Sequence, residues 1–142
     1  MVTGSRRTAV RHLLKLARED LQLAEDIIAG ASTGLPRHAC FNAQQAAEKT
    51  LKGALRHEGI QYGKVHDLEQ LRGMLPGNWA VKAQPASLQA LTEWVIEGRY
   101  LENLPDATDE DARLAVQEAR EVWTLITAEL VPRGFDVNME LP

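Results

Sequence analysis

The side chains best suited to chemistry lie on one stretch, residues 39–58, ACFNAQQAAEKTLKGALRHE. On a helix turning about 100° per residue, Gln45, Glu48, Lys49, Lys52 and Arg56 fall on one side. One carboxylate among cations and an amide can orient those cations toward phosphate or an acidic partner. Glu48 and Lys52 also make a favourable i,i+4 pair, so the ridge reads as a solvated face as well. Phe41 projects to about the side of Glu48. An aromatic among amides and cations suits a partner surface or a nucleotide base better than open water. Two further places hold reactive types. His66 precedes Asp67, a good helix N-cap, and can exchange a hydrogen bond with a phosphate or a carboxylate. Arg99, next to Tyr100, either complements a helix C-terminus or holds a phosphate by paired hydrogen bonds.

Several chemistries have no residues to carry them. Cys40 is the only cysteine and falls on the apolar side of its helix, which predicts a buried, inert thiol. There is no glycine-rich phosphate loop and no H-E-x-x-H pattern. His12, His38, His57 and His66 are scattered, and no Glu-x-x-His pair exists for a dinuclear site in a bundle. No catalytic residue, metal or cofactor is therefore expected. The net charge of −4 argues against a general nucleic-acid coat. No apolar run approaches the roughly 18 residues of a membrane span, and the N-terminus becomes charged too soon for a secretory signal. No membrane association is expected, and a cytoplasmic location is the default.

The elements that must position these side chains are helical. Cys40, Ala43, Ala47, Leu51, Ala54 and Leu55 form the apolar face of the central helix, entered near Pro36 and closed at Gly59. A first helix over 8–29 carries Val10, Leu13, Leu14, Ala17, Leu21, Ala24 and Ile28, with a second stripe of Leu16, Leu23 and Ile27. That second stripe predicts a further neighbour, within the domain or across a subunit interface. Asp67 caps a short helix with Leu68, Leu71 and Leu75 inward. A fourth helix is predicted from about Pro85 to Tyr100. Thr108 with Asp111 reads as a capping box for a last helix of five turns, stopped by Pro132-Arg133-Gly134. No period-two pattern predicts a strand. The expectation is one all-α domain over 1–142, an antiparallel up-and-down bundle of four long helices plus one short helix, with a loose tail over 131–142.

The combination CFNAQQAAEKTLKGAL, then HDLEQL, then EGRY and a long final helix resembles the HEPN family, small helical domains proposed to bind nucleotides. The similarity runs from about Leu14 to Leu130. It implies an antiparallel bundle, a homodimer, and association with a minimal nucleotidyltransferase in toxin–antitoxin-like modules. By that resemblance Gln45, Glu48, Lys49 and Lys52 match the family's characteristic helix, His66 and Asp67 its second motif, and Arg99 with Tyr100 its third. Many such domains are metal-independent ribonucleases with an Arg and a His four to six residues apart in the C-terminal half. This chain has no histidine after His66. The spacing occurs only from Arg6 or Arg7 to His12, on diverging sides of a helix. The resemblance therefore implies a non-catalytic binding and assembly module, with nucleotide or RNA phosphate as candidate ligands. A diverged ribonuclease using His66, and a purely structural dimerisation module, are the alternatives.

Overall fold

The computed structural model describes residues 4–84, 86–95 and 106–136. Its α-helices are α1 (Gly4–Ile28), α2 (Pro36–His57), α3 (Leu68–Met74), α4 (Gln89–Thr92) and α5 (Asp109–Leu130). Alanine decides the centre. Ala39, Ala43, Ala46, Ala47 and Ala54 of α2 are all buried, and side chains this small let α1 and α5 both pack closely on α2. Pro36 opens α2 where a missing N–H costs nothing. The Leu35 amide donates to Nδ1 of His38 at 2.9 Å. At the other end the Ile60 amide reaches the Leu55 carbonyl at 2.9 Å and the Gly59 amide reaches Arg56 at 3.0 Å. Gly59 takes φ of 74°, the left-handed cap its position in the sequence predicts.

α1 runs opposite to α2. A Cβ on Gly53 would meet the Leu14 side chain at 3.4 Å, Asp20 pairs with Lys49, and Ile27 lies against Gly34. α5 begins beside Pro36 and ends beside His57, so it runs along α2 and against α1. Its start is the expected capping box: Thr108 Oγ1 accepts from the Asp111 amide at 3.0 Å, and Asp111 accepts from the Thr108 amide at 2.9 Å. The fold is the expected all-helical up-and-down bundle, and no strand occurs among the described residues.

Two stretches differ in detail from expectation. The predicted fourth long helix is, as far as residue 95, one α-helical turn followed by a 3-10 turn over Glu93–Val95. Its amides are committed elsewhere: Leu88 donates to Glu69 and Gln89 to the Ser87 hydroxyl. Thr92 Oγ1 meanwhile accepts the Leu68 amide at 3.0 Å. The segment from 131 does not start loose. A 3-10 turn over Val131–Arg133 leads through Gly134, φ 93°, to Phe135, which is buried in the core. Residues 137–142 lie outside the described residues.

Candidate functional site

Glu48 organises the polar side of α2. It projects toward the loop after α2, where His66 meets it, and only 7% of its surface is exposed. Burial of a carboxylate is tolerated when donors surround it. Gln44 Nε2 donates to Oε1 at 3.1 Å, Lys52 Nζ donates to Oε2 at 3.0 Å, and His66 Nδ1 lies 3.1 Å from Oε2. Gln45 Nε2 in turn donates to Oε1 of Gln44 at 2.8 Å. Burial pushes the Glu48 carboxyl up; the bonds from Gln44, His66 and Lys52, with the Lys52 charge, outweigh it and hold the group below the usual carboxylate range. The ridge is thus a closed network at Glu48 rather than a solvated face.

The two ridge lysines are both engaged, while Arg56 is exposed. Lys49 pairs with Asp20 of α1, both half-buried. Lys52 sits 5.2 Å from the ring centroid of Tyr62 while it holds Glu48. Neither lysine projects alone into solvent as a phosphate hook. Asp67 caps α3, accepting the Gln70 amide at 3.1 Å. His66 is the outward member of the network, its side chain 65% exposed. Phe41 is 43% exposed and packs in no buried cluster. Arg99 and Tyr100 lie outside the described residues. The structure therefore joins Gln45, Glu48, Lys52 and His66 through one set of hydrogen bonds, and leaves Phe41 and the Lys49–Asp20 pair outside it.

Sequence reasoning missed three partners. Asp20 is the acid inside the second apolar stripe of α1, between Leu16 and Leu23. A charge interrupting such a stripe was the available signal. Gln44 is fully buried, and nothing in its type announces that. Tyr62 sits in a loop whose path only the Gly59 and Gly63 turns define. The Arg7–His12 spacing is incidental: Arg7 donates to the Gly134 carbonyl at 2.8 Å and lies 4.3 Å over Phe135. Cys40 is fully buried. Among the described residues no cluster of His, Cys, Asp or Glu could hold a metal ion, and no helix is long and apolar enough to cross a membrane.

Comparison with known proteins agrees with this architecture. The HEPN domain profile matches residues 10–130. Among solved structures, TT1696 from Thermus thermophilus superposes with a TM-score of 0.67 at 27% identity, covering 84% of this chain and 96% of that one. ST0689, an archaeal HEPN homologue, gives 0.64 at 26% identity with the same coverage. None of the curated proteins matches. A domain profile spanning nearly all of the bundle, on the fold of these solved relatives, means that the chain belongs to the HEPN domain family.

Proposed function

We propose that the protein is a non-catalytic binding and assembly module, a homodimer joined through the outer face of α1 and the adjoining edge of α2. One observation carries the reading: the Asp20–Lys49 pair of this face is satisfied within the chain, while Leu23, Leu35 and Phe41 are left exposed. Leu23 and Phe41 are 40% and 43% exposed, and Leu35 at the entrance to α2 is 47% exposed. Leu16, Leu23 and Ile27 follow one another at helical spacing along α1, with the Asp20–Lys49 pair fixing that edge to α2. A face holding an acid, a base and apolar side chains complements a second copy of itself under two-fold symmetry. In light scattering after size exclusion, the protein should run at twice its chain mass. Leu23→Glu with Phe41→Glu should give a folded monomer. A monomeric parent would refute the dimer.

The same reading makes a minimal nucleotidyltransferase the partner of the dimer in a toxin–antitoxin-like pair, with a nucleotide as the other candidate ligand. Co-purification with a nucleotidyltransferase encoded beside this chain tests the partnership. Loss of the complex in the Lys49→Glu, Lys52→Glu variant would place the contact on the ridge. Equal recovery from parent and variant would remove the ridge from it.

A specific contact favours the rival reading, a diverged ribonuclease. His66 is exposed and bonded to a buried carboxylate, which is how a general acid or base is oriented. Incubation with RNA in the absence of metal decides between them. Cleavage that disappears in His66→Ala would replace the assembly reading; intact RNA supports it.

A further inference from the structure

The end of the bundle where α1 starts and α2 stops is closed by the chain that follows α5. After the 3-10 turn over Val131–Arg133, Gly134 takes φ of 93° and turns Phe135 back into the core, where it is buried. Two amide bonds tie this closure to the end of its own helix, Gly134 to Val131 at 3.0 Å and Phe135 to Leu130 at 3.2 Å. Further contacts cross to α1 and α2. Arg7 of α1 donates to the Gly134 carbonyl at 2.8 Å and to the Arg133 carbonyl at 3.4 Å, and its guanidinium lies 4.3 Å over the Phe135 ring. His57, the last residue of α2, meets the same ring edge-to-face, with centroids 5.5 Å apart and planes at 88°.

Of the side chains in this closure, His57 is the one whose charge changes near neutral pH. Its Nδ1 is buried and has no hydrogen-bond partner among the described residues. An imidazolium carries a proton on both ring nitrogens, so charging His57 leaves a buried N–H without an acceptor, which is costly. It also sets a further cation beside three arginines. Glu58, the next residue, and the carbonyl end of α2 favour the charge. Burial first, and then Arg133 after α5 and Arg7 and Arg6 of α1, oppose it, and the balance holds the proton affinity of His57 below the ordinary histidine value. A base that binds its proton less tightly folded than unfolded withdraws stability as pH falls below its unfolded pKa. That cost falls on the contacts nearest the ring, which are those of Phe135 and Arg7.

We propose that His57 and Phe135 form an acid-sensitive latch. Neutral, His57 holds the 131–135 turn shut against the ends of α1 and α2. Protonated, it releases the turn and uncovers the Phe135 ring and the Arg7 guanidinium, while the rest of the bundle stays folded. The latch lies at the opposite end of α2 from Phe41, so its opening leaves the dimer face untouched.

NMR of the whole chain, titrated from about pH 8 to about pH 4.5, tests it. The ring signals of His57 and Phe135 and the Gly134 amide should shift together, with one midpoint below the ordinary histidine range. Exchange protection of the Phe135 amide, corrected for the intrinsic rate, should fall by up to about tenfold per pH unit through that window. The amides of Leu51 and Ile126, both in the core, should keep their protection. His57→Gln and His57→Leu, each folded by circular dichroism at neutral pH, should leave the Phe135 signals unmoved over the whole range. Arg7→Gln removes a cation from beside the ring and should raise the His57 midpoint. Phe135 signals that stay fixed while His57 titrates would overturn the latch, as would the parent's movement persisting in His57→Gln and His57→Leu. Loss of Leu51 and Ile126 protection at the same pH would replace it with global unfolding, and an unmoved His57 midpoint in Arg7→Gln would remove the coupling on which it rests.

Discussion

Replacing Glu48 with alanine probes the network directly. The carboxylate is buried and accepts bonds from Gln44 and Lys52, with His66 on the same oxygen as Lys52. Its removal leaves the Gln44 amide, in a fully buried residue, without its acceptor, and the Lys52 ammonium, 12% exposed, without a counter-charge. Breaking one partner of a buried ion pair costs about 3–5 kcal/mol, a large part of a total of about 5–15 kcal/mol. Glu48→Gln keeps the shape and one acceptor oxygen, so its cost should be smaller, about 1–3 kcal/mol. Urea denaturation at constant slope measures both. The effect also depends on pH. The folded carboxyl sits below its ordinary range, so its contribution is complete above the unfolded carboxylate's pKa and is lost as pH falls through the folded value. Parent and Glu48→Ala curves should therefore converge in acid. A Glu48→Ala protein within about 0.5 kcal/mol of the parent at neutral pH would show that the network contributes nothing to the fold.

Other perturbations reach the ends of the bundle. Phe135→Ala should cost about 3–5 kcal/mol, because the ring is buried under Arg7 and edge-on to His57 at 5.5 Å; calorimetric melting tests this. Burial lowers the proton affinity of His57, Glu58 opposes that, and Arg133, Arg7 and Arg6 reinforce it. The parent should therefore lose stability as pH falls below the ordinary histidine range, and His57→Leu should remove that limb of the pH–stability curve. Burial and the charge of Glu121 raise the Glu118 carboxyl. Glu118→Gln should accordingly gain a few tenths of a kcal/mol near neutral pH, and the gain should vanish in acid, where the parent carboxyl is protonated.

What the sequence disclosed was whatever its local chemistry determines. Pro36, the alanine spacing and Gly59 define α2 from end to end, and Thr108 with Asp111 marks the start of α5. Those signals act within one turn of the chain. Between Trp79 and Val95 the local signals mislead, because the path is held by distant side chains. Glu129 accepts the Ala80 amide at 2.9 Å, Glu121 accepts from Gln84 at 2.8 Å, and Arg72 donates to the Ala86 carbonyl at 3.2 Å. A helical periodicity near Pro85 cannot compete with bonds it does not contain. The ridge shows the same limit. A helical wheel placed Glu48 beside Lys52, but not the loop that brings His66 to it. Nor could a wheel of α2 reveal Asp20, which lies on another helix.

The distribution of charge shows two ways in which the fold holds its cations. Cations near the middle of the bundle are matched with acids across elements or within a turn: Lys49 with Asp20, Lys52 with Glu48, Arg72 with Glu69. Half-buried or buried pairs of this kind contribute modest stability at best, since desolvation offsets their attraction. Their effect is better described as fixing register, because Asp20 meets Lys49 only when α1 and α2 are correctly aligned. At the end where α1 starts, the pattern reverses. Arg7 is bonded to chain carbonyls and lies over Phe135, and Arg133 stacks 5.2 Å from Trp79. His57 lies among them: burial first holds its proton affinity down, Glu58 opposes this, and Arg133, Arg7 and Arg6 add to it. Carboxylates therefore fix the alignment of the helices in the middle of the bundle, while carbonyls and aromatic rings hold the arginines that close its end.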